Sequence, residues 1–252
     1  MKLLTLARDL QRRRARERHG LFVAEGVRTV EELLRAGLDV RGALASPSLA
    51  ATPRGEALRD QLQRRAIDVL EVDEADFASA ASTEQPQGVL AIAAVPDHRL
   101  DALPLGACPR LLVLDGVQDP GNTGTLLRTA AAFAVDATLA MPGTVDVWNG
   151  KVVRSAMGAL FRHPVLPCRW EALDAFLRER EIAFWAADGA GEPFDRPPVP
   201  GALALAVGNE GAGLSAEAAA RASRRVAIPI APESESLNVA VAAGILLYHY
   251  RP

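Results

Sequence analysis

Short apolar runs and amphipathic segments alternate along the chain in the way expected of strands and helices that follow one another. Between Gly20 and about Val95, glycines and a proline mark most of the boundaries between these segments. The pattern predicts strands at 21–24, 40–45, 67–72 and 89–95, and helices at 27–36, 54–65 and 74–80. Alternation of this kind predicts a small α/β sandwich.

The stretch from Pro96 to Pro109 interrupts this pattern. It contains three prolines and shows no sustained periodicity. Such composition is typical of a boundary between domains. We therefore predict an N-terminal domain at 1–96, a linker at 97–109 and a C-terminal domain at 110–252.

The C-terminal domain repeats the alternation with short, continuous apolar strands, which is typical of a parallel sheet covered on both faces. Strands are predicted at 111–114, 137–141, 184–187, 203–207 and 226–230. Helices are predicted at 125–133, 152–161, 170–181, 216–222 and 238–248. We expect residues 188–193 to form a flexible surface loop.

Three of the predicted strands are followed by loops of similar composition. After the first, Asn122 and Thr123 begin a helix that carries Arg128, and Asn122 is the expected cap of this helix. After the fourth, a glycine-rich turn contains Asn209 and Glu210. In an open parallel sheet such loops meet at the carboxyl edge, where ligands bind. Glycines in these loops allow a ligand to approach the backbone closely, but a plain strand-to-helix turn is the favoured explanation when the glycines are considered alone.

The third loop follows the last predicted strand, beyond Pro229 and Pro232, and runs through two glutamates to Ser236. The hydroxyl of Ser236 is expected to cap the final, alanine-rich helix. Cap and site are equally good explanations of this serine when the stretch is considered alone. The recurrence of the same arrangement in three loops favours a site.

Composition excludes several classes of protein. The chain has 252 residues, 49% of them hydrophobic and 23% charged, which is ordinary for a globular protein. No apolar run reaches the length of about 20 residues that a membrane span needs. Cys108 and Cys168 lie far apart and lack metal-type spacing, so we expect reduced thiols, no metal and a cytoplasmic location.

The first 20 residues are strongly basic although the whole chain carries a net charge of −3. This segment contains seven basic and two acidic residues, which gives it a charge of +5. The basic residues are Lys2, Arg8, Arg12, Arg13, Arg14, Arg16 and Arg18. We expect an arm that contacts phosphate groups, and the alternative is the solvated face of a helix.

The three loops resemble, in order, the three signature motifs of the SpoU (TrmH) family of RNA ribose methyltransferases. Residues 122–130 are similar to the motif Asn-x-Gly-(x)3-Arg-Thr-Ala, residues 208–213 to Gly-Asn-Glu-Gly-x-Gly, and residues 236–239 to Ser-Leu-Asn-Val. Thr125 and Ala134 depart from the usual Ala and Gly, at positions without a functional role in the family. Residues 22–26 and the following helix resemble the substrate-binding domain that precedes many SpoU catalytic domains.

This resemblance implies an enzyme that transfers a methyl group from S-adenosylmethionine to a ribose 2′-hydroxyl of RNA. The two-domain organisation of the chain favours ribosomal over transfer RNA as the substrate. The resemblance also implies a deep trefoil knot in the parallel-sheet domain, and a homodimer. The residues it implies as catalytic are Arg128, Asn122, Glu210, Ser236 and Asn238, and those implied as cofactor-binding are Gly208, Ile228 and Leu237. The alternatives are a transfer RNA methyltransferase and a catalytically silent RNA-binding protein on the same scaffold.

Arg128 is the expected centre of the chemistry. A guanidinium is effectively always protonated in proteins, so action as a general base is physically unfavourable. We expect Arg128 instead to orient the ribose and its 3′-phosphate through a bidentate contact. A surface ion pair on a helix is the alternative role.

Overall fold

The computed structural model describes residues 2–252, which form two compact units. The N-terminal unit comprises the residues up to Asp97 together with Trp148–Arg162. The C-terminal unit comprises His98–Val147 and His163–Pro252. Among residues 2–252, no helix has both the length and the apolar character needed to cross a membrane.

The N-terminal unit is built on a four-stranded mixed sheet. Its elements are α1 (Leu3–Asp9), α2 (Arg13–His19), β1 (Leu21–Glu25), α3 (Val27–Ala36), β2 (Val40–Ala45), α4 (Pro53–Arg64), β3 (Val69–Glu71), α5 (Glu74–Ala80) and β4 (Val89–Ala94). The strand order is β1-β4-β2-β3. β4 runs antiparallel to both of its neighbours, and β3 runs parallel to β2. The expected N-terminal α/β domain is confirmed.

The core of this unit follows the apolar pattern that predicted its elements. Helix α3 buries Val30, Leu33 and Leu34 on one face. The central strand β4 buries side chains on both faces, Leu90 and Ile92 on one and Val89 and Ala91 on the other. A strand covered on both faces is expected to be continuously apolar, as β4 is.

The C-terminal unit is built on a six-stranded parallel sheet. Its elements are β5 (Arg110–Leu114), α6 (Pro120–Ala132), β6 (Ala137–Ala140), β7 (Val165–Pro167), α8 (Trp170–Glu179), β8 (Ala183–Pro193), β9 (Leu203–Val207), α9 (Ala216–Arg221), β10 (Arg224–Ala227) and α10 (Val239–His249). The order is β10-β8-β9-β5-β6-β7, and every pairing is parallel. Successive side chains of the central strands belong to two different apolar clusters, one on each face of the sheet. The expected parallel-sheet domain is confirmed, and the trefoil knot stays a prediction.

Two features of this sheet differ from the expectations. Residues 188–193 are not a surface loop, because β8 continues through them and pairs Glu192 with Val226 of β10 after a shift in register. The short edge strand β7 was not predicted. Both pairings join residues far apart in sequence, which local composition does not reveal.

The segment Trp148–Arg162 packs within the N-terminal unit although it follows the predicted linker in sequence. The rings of Trp148 and Phe161 lie 4.5 and 5.8 Å from that of Phe22. Arg162 donates a hydrogen bond of 2.9 Å to Glu32 on α3. The division of function among 1–96, 97–109 and 110–252 stays a prediction.

The same segment is not the single helix that was predicted at 152–161. Helix α7 (Gly150–Ser155) ends early, and a 3-10 turn (Ala159–Phe161) follows. Met157 and Gly158 between them adopt left-handed backbone conformations, with φ of 48° and 88°. A Cβ atom at position 158 would lie 2.7 Å from the Cβ of Glu32, so the close packing on α3 requires glycine.

Candidate functional site

Three loops lie at the carboxyl edge of the parallel sheet, and a cavity lies beside the second and third of them. The first loop (residues 115–119) follows β5, the second (208–215) follows β9, and the third (228–238) follows β10. The cavity has a volume of about 490 Å³ and is lined by the second and third loops, by Asn122 of α6 and by Asp188 of β8. Its volume is in the range of small-molecule sites, which is about 300–1,000 Å³.

Side-chain amides and a carboxylate join the three loops across this edge. Asn122 donates to Glu210 of the second loop at 3.1 Å, and Asn238 at the end of the third loop donates to Asn122 at 2.9 Å. Glu210 also accepts hydrogen bonds from the backbone amides of Gln118 and Asp119, at 3.1 and 3.0 Å. The predicted residues Asn122, Glu210 and Asn238 therefore form one continuous network.

The carboxyl group of Glu210 is held in its ionised form by this network. Partial burial raises its pKa, but the hydrogen bonds from Asn122 and from the amides of Gln118 and Asp119 together outweigh that effect. The pKa therefore lies below its ordinary value. At neutral pH the side chain acts as an anion that fixes the first loop to the second.

Two helix caps differ from the expectations. Asp119, not Asn122, caps α6 by accepting a hydrogen bond of 2.7 Å from the amide of Asn122. Pro120 favours this arrangement because proline prefers the first position of a helix, which places the cap at the residue before it. The side chain of Asn122 is thereby left for the contacts with Glu210 and Asn238.

The cap of α10 is Asn238, not Ser236. Its side-chain oxygen accepts from the amides of Ala240 and Val241, at 2.9 and 3.3 Å. Ser236 is exposed in the third loop and lines the cavity. Asn238 thus has two roles, since its oxygen caps the helix while its amide nitrogen reaches Asn122.

The second loop is held in a tight turn by Asn209. Its side-chain oxygen accepts from the amides of Gly211 and Ala212 at 2.9 Å, and its nitrogen donates to the carbonyl of Gly116 at 2.8 Å. A Cβ atom at position 208 would lie 2.4 Å from the backbone of Gly213, so only glycine fits there. Asn209 was noted in the sequence, but its part in holding the loop was not predicted.

Asp115 is a further residue that the sequence analysis missed. Its buried carboxylate accepts a hydrogen bond of 2.6 Å from the amide of Ser215, where α9 begins. The only sign of this role in the sequence was that Asp115 directly follows an apolar strand. Acidic residues are common at such positions, so the sign was too weak for a prediction. Asp115 does not line the cavity, whereas Asp188 and Glu235 line it together with Glu210.

The residues predicted to bind the cofactor all line the cavity. Gly208 comes from the second loop, and Ile228 and Leu237 come from the third. Apolar side chains of the sheet and of α10, including Val207 and Leu246, complete the lining. The cavity thus combines an apolar wall, backbone from a glycine-rich turn and carboxylates, which suits a nucleoside with a positively charged group.

Arg128 does not line this cavity. It lies on α6, six residues beyond Asn122 and therefore about 9 Å further along the helix axis. Its side chain is exposed and makes no hydrogen bond or ion pair with any residue in 2–252. A single chain thus brings together seven of the eight predicted site residues and leaves the arginine apart.

The basic residues near the N-terminus are largely engaged within their own unit. Arg8 pairs with Asp76 at 2.8 Å, and Arg18 pairs with Asp9 at 2.7 Å. Arg16 is buried and donates to the carbonyl of Leu10 at 2.7 Å. A role of this segment in binding phosphate groups stays a prediction, and fewer of its arginines are available for it than their number indicates.

Comparison with known proteins supports the resemblance that the three loops carry. Residues 109–248 match the SpoU rRNA Methylase family, and residues 5–91 match the MRM3-like substrate binding domain. The 23S rRNA (guanosine(2553)-2′-O)-methyltransferase RlmP of Bacillus subtilis is 34% identical over 97% of this chain and 94% of that protein.

Two solved structures share the architecture over almost the whole chain. An rRNA methyltransferase from Sinorhizobium meliloti with bound AdoMet (S-adenosylmethionine) has a TM-score of 0.85 and 28% identity, covering 99% of this chain and 94% of that one. The SpoU methyltransferase AviRb from Streptomyces viridochromogenes, also with AdoMet, has a TM-score of 0.86 and 25% identity, covering 99% and 97%. The present chain belongs to the SpoU rRNA methylase family.

Proposed function

We propose that the protein transfers a methyl group from AdoMet to a ribose 2′-hydroxyl of ribosomal RNA. The observation that carries the proposal is the network of Glu210, Asn122 and Asn238, which joins the three motif loops around one cavity. Relatives along the whole chain are named as ribosomal RNA methyltransferases, which favours this RNA over transfer RNA.

The cavity is proposed as the AdoMet site. Its backbone at Gly208, Ile228 and Leu237 would hold the nucleoside. The carboxylate of Glu235 would offset the positive charge of the ligand, since that of Asp188 is already paired with Arg225 at 3.1 Å. When bound, AdoMet supplies an activated methyl group on a sulfonium centre. The protein must then hold the ribose oxygen in line with that group and keep water away from it.

Arg128 is proposed to orient the ribose and its 3′-phosphate. Its guanidinium stays protonated, so it offers donors and charge rather than a base. Glu210 is proposed as a positioning residue, because both of its oxygens already accept hydrogen bonds from the first loop and Asn122. Ser236 is exposed beside the cavity and is proposed to contact the ribose directly.

We further propose a homodimer in which Arg128 reaches the cavity of the partner. Helix α10 exposes an apolar stripe formed by Val241, Ile245 and Tyr248, which are 52%, 37% and 56% exposed. These residues follow one another at intervals of four and three, so they lie on one face of the helix. A two-fold contact along this face would bury them, and Arg128, which does not line the cavity of its own chain, would then act at that of the partner.

Mixed dimers test this arrangement. At an AdoMet concentration well below saturation, Arg128→Ala and Glu210→Ala homodimers should both have low activity, whereas a heterodimer of the two should regain activity. One of its sites would combine an intact cavity with an intact arginine from the other chain. An inactive heterodimer, or a wild-type protein that is monomeric and active at micromolar concentration, would contradict the proposal.

The proposed reaction itself is tested with the purified protein, tritiated AdoMet and protein-free RNA. We expect calorimetric binding of AdoMet and transfer of label to ribosomal RNA but not to transfer RNA. Transfer to transfer RNA alone would change the proposed substrate. RNA binding without AdoMet binding would identify a catalytically silent protein instead. The protein is also proposed to be cytoplasmic, where its substrate would be available.

A further inference from the structure

A second cavity lies within the N-terminal unit, where β1 leads into α3. It has a volume of about 350 Å³ and combines three separate stretches of sequence: residues 25–29, residues 83–87, and Arg154 with Met157. The proposed methyl transfer assigns no role to any of these residues. The cavity is open enough to admit a group of a larger molecule.

The beginning of α3 provides unpaired donors at this cavity. The first amides of a helix have no acceptor within the helix itself. The amide of Val27 is satisfied by the side-chain oxygen of Gln87 at 2.9 Å, whereas no acceptor is found among residues 2–252 for the amides of Arg28 and Thr29. A helix start with free amides and its partial positive charge attracts anions.

Thr29 supplies an independent indication of a ligand. Its side chain lines the cavity and the residue is only 7% exposed, yet its hydroxyl has no hydrogen-bond partner within residues 2–252. No fully enclosed side-chain polar atom of the described chain lacks a partner, so this hydroxyl opens onto the cavity. A buried polar group normally has a partner, which a bound ligand would supply here.

The charges around the cavity favour an anion. Its charged lining residues are Glu25, Arg28 and Arg154. The buried carboxylate of Glu25 accepts hydrogen bonds from the amide and hydroxyl of Ser82, at 2.7 and 2.5 Å, and lies 3.8 Å from the guanidinium of Arg154. Glu25 is therefore compensated by Arg154. The exposed guanidinium of Arg28 makes no ion pair with a described residue, so it leaves one positive charge beside the free amides.

We propose that this cavity binds a phosphodiester group of the substrate RNA. The phosphate oxygens would accept hydrogen bonds from the amides of Arg28 and Thr29, from the hydroxyl of Thr29 and from the guanidinium of Arg28. Met157 is 36% exposed at the rim and offers an apolar surface to an adjoining base or ribose, which favours a nucleotide over free phosphate. This inference depends on the proposed function in one respect, namely that the substrate is RNA.

The test compares two site variants with one control by filter binding of labelled, protein-free 23S ribosomal RNA over a range of salt concentrations. Arg28→Ala should weaken binding by about fivefold and lower the slope of log K against log salt by about one, as loss of one phosphate contact does. Thr29→Val should weaken binding by about threefold without changing the slope, because it removes a neutral hydroxyl of equal size. Arg41→Ala, which removes an exposed arginine paired with Asp39 in the same unit, should have little effect.

The proposal requires both losses. Wild-type affinity of either site variant, or an equal loss in Arg41→Ala, would overturn it. Calorimetry with inorganic phosphate and with AMP separates the sources of the phosphate: tight binding of phosphate alone, with RNA binding unchanged in Arg28→Ala, would assign the cavity to a free anion. Methyl transfer is measured separately, so an inactive protein whose RNA affinity depends on Arg28 would refute the proposed function and leave this inference standing.

Discussion

The two cavities are built from the chain in opposite ways. In the C-terminal unit, three loops each follow their own strand directly, and a parallel sheet brings them to one edge. In the N-terminal unit, the cavity draws on a strand-to-helix turn, a loop 60 residues later and a segment beyond the predicted linker. The first kind of site leaves local motifs in the sequence, whereas the second becomes visible only when the chain has folded.

The largest expected effect concerns Arg128 in the C-terminal unit. Arg128→Ala should lower single-turnover methylation by roughly 10²-fold or more, because a contact made to the reacting ribose acts on the transition state. Arg128→Lys should not restore the rate, since an ammonium group cannot reproduce the planar, bidentate guanidinium.

The matched control is Arg178→Ala on α8, another exposed helix arginine. Cofactor binding and thermal stability should be unchanged in both alanine variants, because surface substitutions usually alter stability little. Near wild-type turnover of Arg128→Ala would remove this residue from the mechanism.

The sequence revealed the loops of the catalytic site better than the contacts that hold them. Asn122, Glu210 and Asn238 were predicted as site residues because strand, turn and helix follow each other locally. The caps at Asp119 and Asn238 were not predicted, since several neighbouring side chains can cap a helix and the choice depends on packing. Local sequence patterns also could not predict that Arg128 does not line the cavity of its own chain.

The fold shows the same limit. Strands and helices with strong periodicity, such as α3 and β9, were predicted within a residue or two. The continuation of β8 through 188–193 was missed because its glycines and proline are typical of a loop, and only pairing with β10 makes it a strand. The packing of 148–162 against Phe22 likewise depends on contacts between residues more than 100 positions apart.

Removing the carboxylate that joins two motif loops should have the next largest effect on function. Glu210→Ala leaves the amides of Gln118 and Asp119 and the side chain of Asn122 without their acceptor. We expect AdoMet binding to weaken by roughly tenfold, the equivalent of about one lost hydrogen bond. Calorimetry measures this, with Glu233→Ala in the exposed third loop as the control. Equal affinities of the two variants would show that the network does not shape the cavity.

Mild acid should lower the stability of the C-terminal unit through a buried histidine that the N-terminal unit does not contain. His163 is buried in the C-terminal unit and shares a hydrogen bond of 2.7 Å with Thr138. Burial and, to a smaller extent, the nearby His98 lower its pKa to about 4, against a small opposite effect of Asp136. An unfolded histidine titrates near 6.5, so below that pH the unfolded state binds the proton first and the folded state loses stability.

Between pH 7 and pH 5 this histidine should cost the C-terminal unit about 2 kcal/mol of unfolding free energy. Of the three tryptophans, Trp148 lies in the N-terminal unit, and Trp170 and Trp185 lie in the C-terminal unit. In the variant Trp148→Phe, tryptophan fluorescence therefore reports on the C-terminal unit alone. Urea unfolding at the two pH values measures the loss. The loss should largely disappear when His163→Gln is added, and an undiminished pH dependence would assign it to other groups.

The smallest expected effect belongs to the basic segment at the N-terminus. Ala7 and Leu10 are buried in the core of their unit, so deleting the segment would damage the fold. The double variant Arg12→Ala, Arg14→Ala removes two exposed charges and, besides them, one ion pair of 3.6 Å between Arg12 and Asp9. We expect RNA binding to weaken by about two- to fivefold with a shallower salt dependence. An unchanged salt slope would show that this segment is only a solvated helix face.

The central claim is that the three motif loops form a methyl-transfer site for a ribose of ribosomal RNA. Mapping of 2′-O-methylated riboses in total RNA from a deletion strain and its parent tests it most directly. We predict that the deletion strain lacks methylation at a single ribosomal RNA ribose, which the wild-type gene restores and the Arg128→Ala gene does not. Identical maps in the two strains, or a difference confined to transfer RNA, would contradict the account.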